Sequence, residues 1–234
     1  MKRKHFRKHI FCIVFCLASS VAVVEGRMQR MTEAGVPLDS PWKQTIYDFA
    51  KTNLKHPAWG WSHSERDYKL ALEIAGAENL KIDKDVLFAA AFLHDMGAIE
   101  PFSREDVDHA ARSTEVSEDI LRKAGFPMDK FPAVKDAILG HMYDAVPTNR
   151  AEAVVLHDAD TLDFMGTIGV ARMLAVTGKS PDFRRAINTI ESFQKELPSK
   201  LITKAARKMS VRRIEEMKHF LQTLETQTYG KKVL

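Results

Sequence analysis

Beyond the first thirty residues, the most apolar stretch of the chain runs from Val86 to Leu93 without a polar side chain. With Asp83 as a cap ahead of it and Gly97 as a stop behind, it reads as a buried helix ending in His94-Asp95. Elsewhere apolar residues recur at helical rather than alternating spacing. Ser40-Pro41 opens a helix carrying Trp42, Ile46, Phe49, Ala50 and Leu54, and His56-Pro57 ends it. A second helix follows Ser62-His63-Ser64-Glu65-Arg66, with Tyr68, Leu70, Ala71, Leu72, Ile74 and Ala75. A long amphipathic helix is expected over 105–124, with Val107, Ala110, Ala111, Val116, Ile120 and Leu121 on one face and Gly125 as the stop. Pro132 starts a short helix ending near His141-Met142, 151–176 reads as one helix, and two more fill 183–197 and 199–226. No stretch alternates as a strand would, and there is no internal repeat or low-complexity linker. The expectation is therefore a single all-α domain of about seven to eight helices over 40–234.

The beginning of the chain has a different pattern. Lys2, Arg3, Lys4, Arg7 and Lys8 precede an uncharged apolar run over 10–24, and small residues follow at Ala18, Ser19, Ser20, Ala22 and Gly26. This predicts a secretory signal peptide over 1–26, followed by a flexible segment over 27–39. The apolar run is short for a spanning helix of ~20 residues, so a retained membrane anchor is the alternative. A start at Met28 or Met31 would instead give a cytoplasmic product. The leader also carries the five cations and Glu25 that account for the whole formal charge of +4. What remains is close to neutral, which removes the electrostatic case for a nucleic-acid polymer as partner. Both cysteines, Cys12 and Cys16, lie in the leader, leaving no disulfide or thiolate metal site in the rest of the chain. A composition 45% hydrophobic and 28% charged is that of an ordinary globular domain.

Candidate chemistry centres on His94 and Asp95. An imidazole and a carboxylate at the end of a run of buried side chains are costly to bury unless a cation binds them. Further nitrogen and oxygen donors sit at or near other helix ends: His63, His109, His141 and Asp160. Donors of this kind without sulfur suit manganese, iron, cobalt, nickel, zinc or magnesium. A divalent cation lowers the pKa of bound water from 15.7 to as little as ~7 and polarises a phosphoryl oxygen. Asp95 is then the residue to bind metal and orient water, and Arg66, one helical turn beyond His63, is placed to meet a phosphate. A second His-Asp pair, His157-Asp158, precedes Asp160 by less than a turn and reads as support, as does Asp163. Trp59 and Trp61 read as packing residues. The basic residues Lys200, Lys204, Arg207, Lys208, Arg212, Arg213 and Lys218 read as a solvated helix face.

The ordered set resembles the HD-domain metal-dependent phosphohydrolases, specifically their small single-domain bacterial branch. His63-Ser64-Glu65-Arg66 is similar to the family's His-x-x-Arg entry, and Phe92-Leu93-His94-Asp95 to its central helix end. His109 with Ser113-Thr114, and Ala137-Ile138-Leu139-Gly140-His141, resemble the helices that follow. The stretch from Asp158 to Arg172, with Asp158-Ala159-Asp160-Thr161-Leu162-Asp163, Gly166, Gly169 and Ala171-Arg172, is similar to that of a branch including nucleotide pyrophosphatases. The resemblance implies an HD-type helical domain whose metal ligands are His63, His94, Asp95 and Asp160. It also implies a second metal or phosphate position at His109 and His141, and a small phosphorylated substrate such as a nucleotide. A di-iron oxygenase is the alternative, because enzymes similar in fold use the same ligand order to activate dioxygen. A metal-binding sensor domain without turnover is a third reading. The exported leader is unusual for enzymes of intracellular nucleotides and implies a periplasmic or extracellular location. Mass spectrometry of the exported protein is expected to show an N-terminus near residue 27; a cytoplasmic product beginning at Met28 would remove the export reading.

Overall fold

The computed structural model describes residues 30–177 and 184–234, so the expected signal peptide lies outside the described residues. Among these, nine α-helices and three short 3-10 turns account for the architecture, with one isolated bridge, Met31 to Pro37, in place of any sheet. The helices are α1 (Pro41–Asn53), α2 (Trp61–Ala77), α3 (Lys84–Leu93), α4 (His109–Ala124), α5 (Phe131–Leu139), α6 (Ala151–Asp163), α7 (Gly166–Thr177), α8 (Arg184–Glu196) and α9 (Lys204–Gln227). The all-α expectation holds, with one more helix than the pattern indicated. The stretch 151–176 is broken after Asp163, because Gly166 adopts φ +72, a left-handed conformation that an L side chain resists.

Helix α3 is the axis of the molecule. Asp83 caps it by accepting from the backbone N–H groups of Asp85 and Val86, and every residue from Val86 to Leu93 is buried. It packs between α2, α5 and α1, while α2 also lies along α6. Phe88 stacks on Phe92 at 4.4 Å and meets Trp42 and Tyr68 edge-on at 5.6 and 5.4 Å. Helices α7, α8 and α9 pack on one another as a second tier, joined to the first through α6. That join is partly polar. Asp158 accepts from the backbone N–H of Ile202 and Thr203, each at 2.8 Å, just where α9 starts. Arg213 donates to the carbonyls of Leu162 and Met165 at the end of α6, so this member of the basic run caps a helix rather than facing water.

Residues 30–39, expected to be flexible, are held on the domain. Val36 and Leu38 are buried in the main core. Arg30 makes a two-point contact with Asp48, Ala34 N–H donates to Glu65, and Glu33 N–H donates to the Tyr47 hydroxyl. Buried Lys43 joins Asp39 of this segment to Asp85 of α3, at 2.9 Å each. Two apolar side chains two residues apart were too weak a pattern to reveal this packing.

The long helix expected from residue 105 begins four residues later, with Asp108 as its cap and His109 as its first residue. Replacing Phe88 by Ala is expected to cost about 3–5 kcal/mol in urea unfolding, since its ring fills the contact between α1, α2 and α3.

Candidate metal centre

Five segments converge at the end of α3. His63 lies in the first turn of α2, and Asp67 follows it one turn later on the same side. Helix α3 stops at Leu93, so His94 is its C-cap and Asp95 begins the turn into Met96–Ala98. Gly97 sits against the first turn of α4, so close that a Cβ there would overlap the His109 carbonyl and Ser113. Its N–H donates to the Ser113 hydroxyl at 2.8 Å. That close approach brings His109 beside Asp95. His141 follows the end of α5, and Asp160 and Asp163 project from α6.

The donor atoms group around the two oxygens of Asp95. Oδ2 lies 3.4 Å from His63 Nε2 and 3.3 Å from His94 Nε2, and those two nitrogens are 3.2 Å apart. His63 Nε2 is also 3.2 Å from Asp160 Oδ1 and 3.1 Å from Asp67 Oδ2. Oδ1 of Asp95 turns the other way, 3.5 Å from His141 Nε2 and 3.7 Å from His109 Nε2, which are 3.4 Å from each other. Donors bound to one cation at ~2.0–2.2 Å stand roughly 3–3.5 Å apart, so these separations suit metal binding. His63, Asp67, His94 and Asp160 form one compact buried donor group, and His94, Asp95 and His141 a second.

The histidines are set for this role by their other ring nitrogens. His63 Nδ1 donates to Asp163 at 2.8 Å, His94 Nδ1 to the Ala91 carbonyl at 2.8 Å, and His141 Nδ1 to the Ile138 carbonyl at 2.6 Å. Carboxylates and carbonyls accept only, so Nδ1 carries the proton and Nε2 presents its lone pair to the centre.

Charge is the central difficulty. Burial opposes ionisation of Asp95, but the neighbouring imidazoles of His94, His141 and His63 hold it well below the ordinary carboxylate range. Asp160 is lowered against its burial by the hydrogen bond and charge of His63 and by the charge of His141. Asp67 goes the other way: burial pushes its carboxyl well above the ordinary range against the pull of His63, with the repulsion of Asp163 and Asp160 adding to the rise. Burial also disfavours the His63 imidazolium, yet the carboxylates of Asp67, Asp160 and Asp163 around it hold His63 well above its usual value. The protein thus favours a positive charge beside His63 Nε2, which a bound cation would supply in place of a proton. Burial and the neighbouring His141 lower His109.

Three side-chain oxygens support the fit directly, since Asp67 Oδ1, Asp67 Oδ2 and Asp160 Oδ2 are buried without any hydrogen-bond partner. The donor set therefore fits a divalent cation held by His63, His94, Asp95 and Asp160, the residues the sequence singled out. His109 and His141 form the other half of the cluster. The Asp95 and His109 side chains, 11% and 28% exposed, mark where the site opens to solvent.

One sequence expectation differs from the structure. Arg66 is engaged by Asp163 through Nε at 2.9 Å and NH2 at 2.8 Å, with NH1 on the Ser62 carbonyl, so its guanidinium is not offered to the centre. Asp158 points to the start of α9 and supports the fold rather than the site, whereas Asp163 does support His63. His157 is structural, contacting the carbonyls of Gly140 and Lys200.

Two further residues escaped sequence reasoning. Asp67 could have been found from its i,i+4 spacing to His63. Buried Arg172 donates to Asp163 at 3.1 Å and to the Ala58 carbonyl at 2.7 Å, and its NH2 stands 3.3 Å from His63 Nε2. It lies in the quoted Gly-rich stretch, but nothing in the pattern assigned it a partner.

Fold and donor set define an all-helical protein with a buried His/Asp cluster compatible with a divalent metal. Residues 60–165 match the family model of the HD domain, and the chain carries an HD domain. No curated protein matches it. Among solved structures, it is similar to Bacillus subtilis YpgQ in complex with ADP, at 23% identity and TM-score 0.61, covering 79% of this chain and 97% of that one. It is also similar to a predicted HD superfamily hydrolase from an uncultured Thermotogales bacterium, at 27% identity, TM-score 0.58 and coverage of 80% and 93%. An HD-superfamily hydrolase from Bacillus thuringiensis matches at 22% identity and TM-score 0.58, covering 79% and 95%.

The pH dependence of the metal-free protein follows from Asp163, whose carboxyl is held far below its ordinary value against burial by His63, Arg66 and Arg172. Its contribution is fully present above the unfolded carboxylate value of about 3.9 and is lost as pH falls towards the folded value. Asp163→Asn is therefore expected to cost about 3–5 kcal/mol near neutral pH, as removal of one partner from a buried pair does. In urea unfolding at a series of pH values, that deficit is expected to narrow on acidification.

Proposed function

We propose that this protein is an exported metal-dependent phosphohydrolase that cleaves a phosphoester or phosphoanhydride bond in a nucleotide or another small phosphorylated metabolite. The observation that carries the reading is the Asp95 carboxylate, whose two oxygens face two histidine pairs, with Asp160 completing the inner side. A divalent cation, with manganese the first to try, supplies hydroxide near neutral pH and polarises a phosphoryl oxygen. His63, His94, Asp95 and Asp160 hold it. Asp163, itself fixed by Arg66 and Arg172, keeps His63 in the metal-binding tautomer.

Asp95 is the more exposed carboxylate and stands at the solvent side, where it accepts a hydrogen bond from the attacking water and orients it. His109, lowered by burial and neutral at pH 7, meets either a phosphate oxygen or a second cation together with His141. The ADP held by Bacillus subtilis YpgQ supports a small phosphorylated ligand for this site as well. Export is supported by the leader pattern alone; no described helix is long and apolar enough to cross a membrane.

The same six donors also suit two irons, and oxygen uptake dependent on two irons per chain would favour an oxygenase instead. The test is phosphate or pyrophosphate release from nucleotides, phosphodiesters and monoesters by protein loaded with manganese, cobalt, nickel or ferrous iron. Asp95→Ala is expected to lower kcat/KM by at least about 100-fold, the low end of what loss of a metal-bound nucleophile or its positioning group costs. Release that survives this substitution would sink the hydrolase reading.

A further inference from the structure

Asp67 is the one carboxylate of the cluster for which neither the sequence pattern nor the resemblance provides a role. It is 0% exposed, on the α2 face that lies along α6. Neither of its oxygens has a hydrogen-bond partner. Its Oδ2 stands 3.1 Å from His63 Nε2 and 3.6 Å from His94 Nε2. Those nitrogens cannot serve it as neutral donors, because in both rings the proton is on Nδ1, engaged by Asp163 and by the Ala91 carbonyl. Beside neutral imidazoles the group is fully buried with neither oxygen hydrogen-bonded, at a desolvation cost. A cation among these atoms removes that cost.

We propose that Asp67 is a direct ligand of the cation held by His63, His94, Asp95 and Asp160, a fifth protein donor that adapts this position to six-coordinate divalent metals. The inference rests on the metal-centre reading above and extends it to the class of metal. Four donors already satisfy tetrahedral zinc, whereas manganese, ferrous iron and cobalt accept five protein donors and one exchangeable ligand. His63, Asp67, His94 and Asp160 close the inner side, with side chains no more than 1% exposed. The exchangeable position therefore faces the mouth beside Asp95 and His109, where substrate enters. Helix α2 places Asp67 one turn beyond His63 on the same face, so both side chains start from fixed backbone positions.

The test compares the full-length chain with Asp67→Asn, which keeps the shape and removes the charge, and with Asp67→Val, an apolar side chain of similar size. Manganese and zinc binding are measured by calorimetry, and thermal unfolding is followed with chelator and with metal. Both variants are expected to weaken manganese binding by at least about tenfold, zinc by less. They are also expected to raise the melting temperature of the metal-free protein and shrink the increment that manganese adds. A role confined to packing predicts the reverse: a lower metal-free melting temperature and unchanged manganese affinity. That result would overturn the proposal, as would equal losses for manganese and zinc. His94→Ala serves as the reference for the site itself. If His94→Ala abolishes binding while the Asp67 variants match wild type, only the role of Asp67 falls; if the wild-type chain binds neither metal, the metal-centre reading falls with it.

Discussion

Four carboxylates, Asp67, Asp95, Asp160 and Asp163, come together in the core of a small helical domain, and their mutual repulsion is the constraint that the surrounding structure answers. Such charges are tolerated away from water only when paired and hydrogen-bonded. Asp163 is answered by the protein alone, through His63, Arg66 and Arg172. The other three face histidine nitrogens whose tautomers leave lone pairs rather than protons at the centre. A bound cation would compensate them. Affinity for metal and stability of the fold are accordingly two expressions of the same electrostatic balance.

The scaffold supplies this arrangement through rigid elements. Helix α3, buried along its length, ends where His94 and Asp95 are needed, so its apolar packing against α1, α2 and α5 sets the position of both. Helix α2 adds His63 and Asp67, and α6 adds Asp160 and Asp163, across the most extensive helix pair among the described residues. The second tier contributes from outside, with Arg172 of α7 reaching back to Asp163 and Asp158 anchoring the start of α9. The open side is left to Asp95 and His109, with buried His141 behind them.

Much of the fold is legible in the amino-acid pattern because helices announce themselves locally, through caps such as Asp83 and through the period of their apolar faces. The breaks are less legible. Residues 163–166 carry no proline, and the split between α6 and α7 depends on the left-handed Gly166, whose permissiveness does not say whether it will be used. The packing of residues 30–39 was hidden for another reason, since Val36 and Leu38 have meaning only once there is a core to receive them.

The same division runs through the site. His63, His94, Asp95, His109, His141 and Asp160 stand at helix ends in a recognisable order, and sequence by itself determined that they are candidate ligands of an all-α metal protein. It could not decide which groups face the cation, because that depends on side-chain direction across elements distant in the chain. Only tertiary structure turned Arg66 onto Asp163, sent Asp158 to the start of α9, brought Arg172 to His63 from 109 residues away, and enclosed Asp67 without a partner. Helical periodicity is a short-range property that the chain carries in itself, whereas the balance of buried charge exists only after the helices have closed around it.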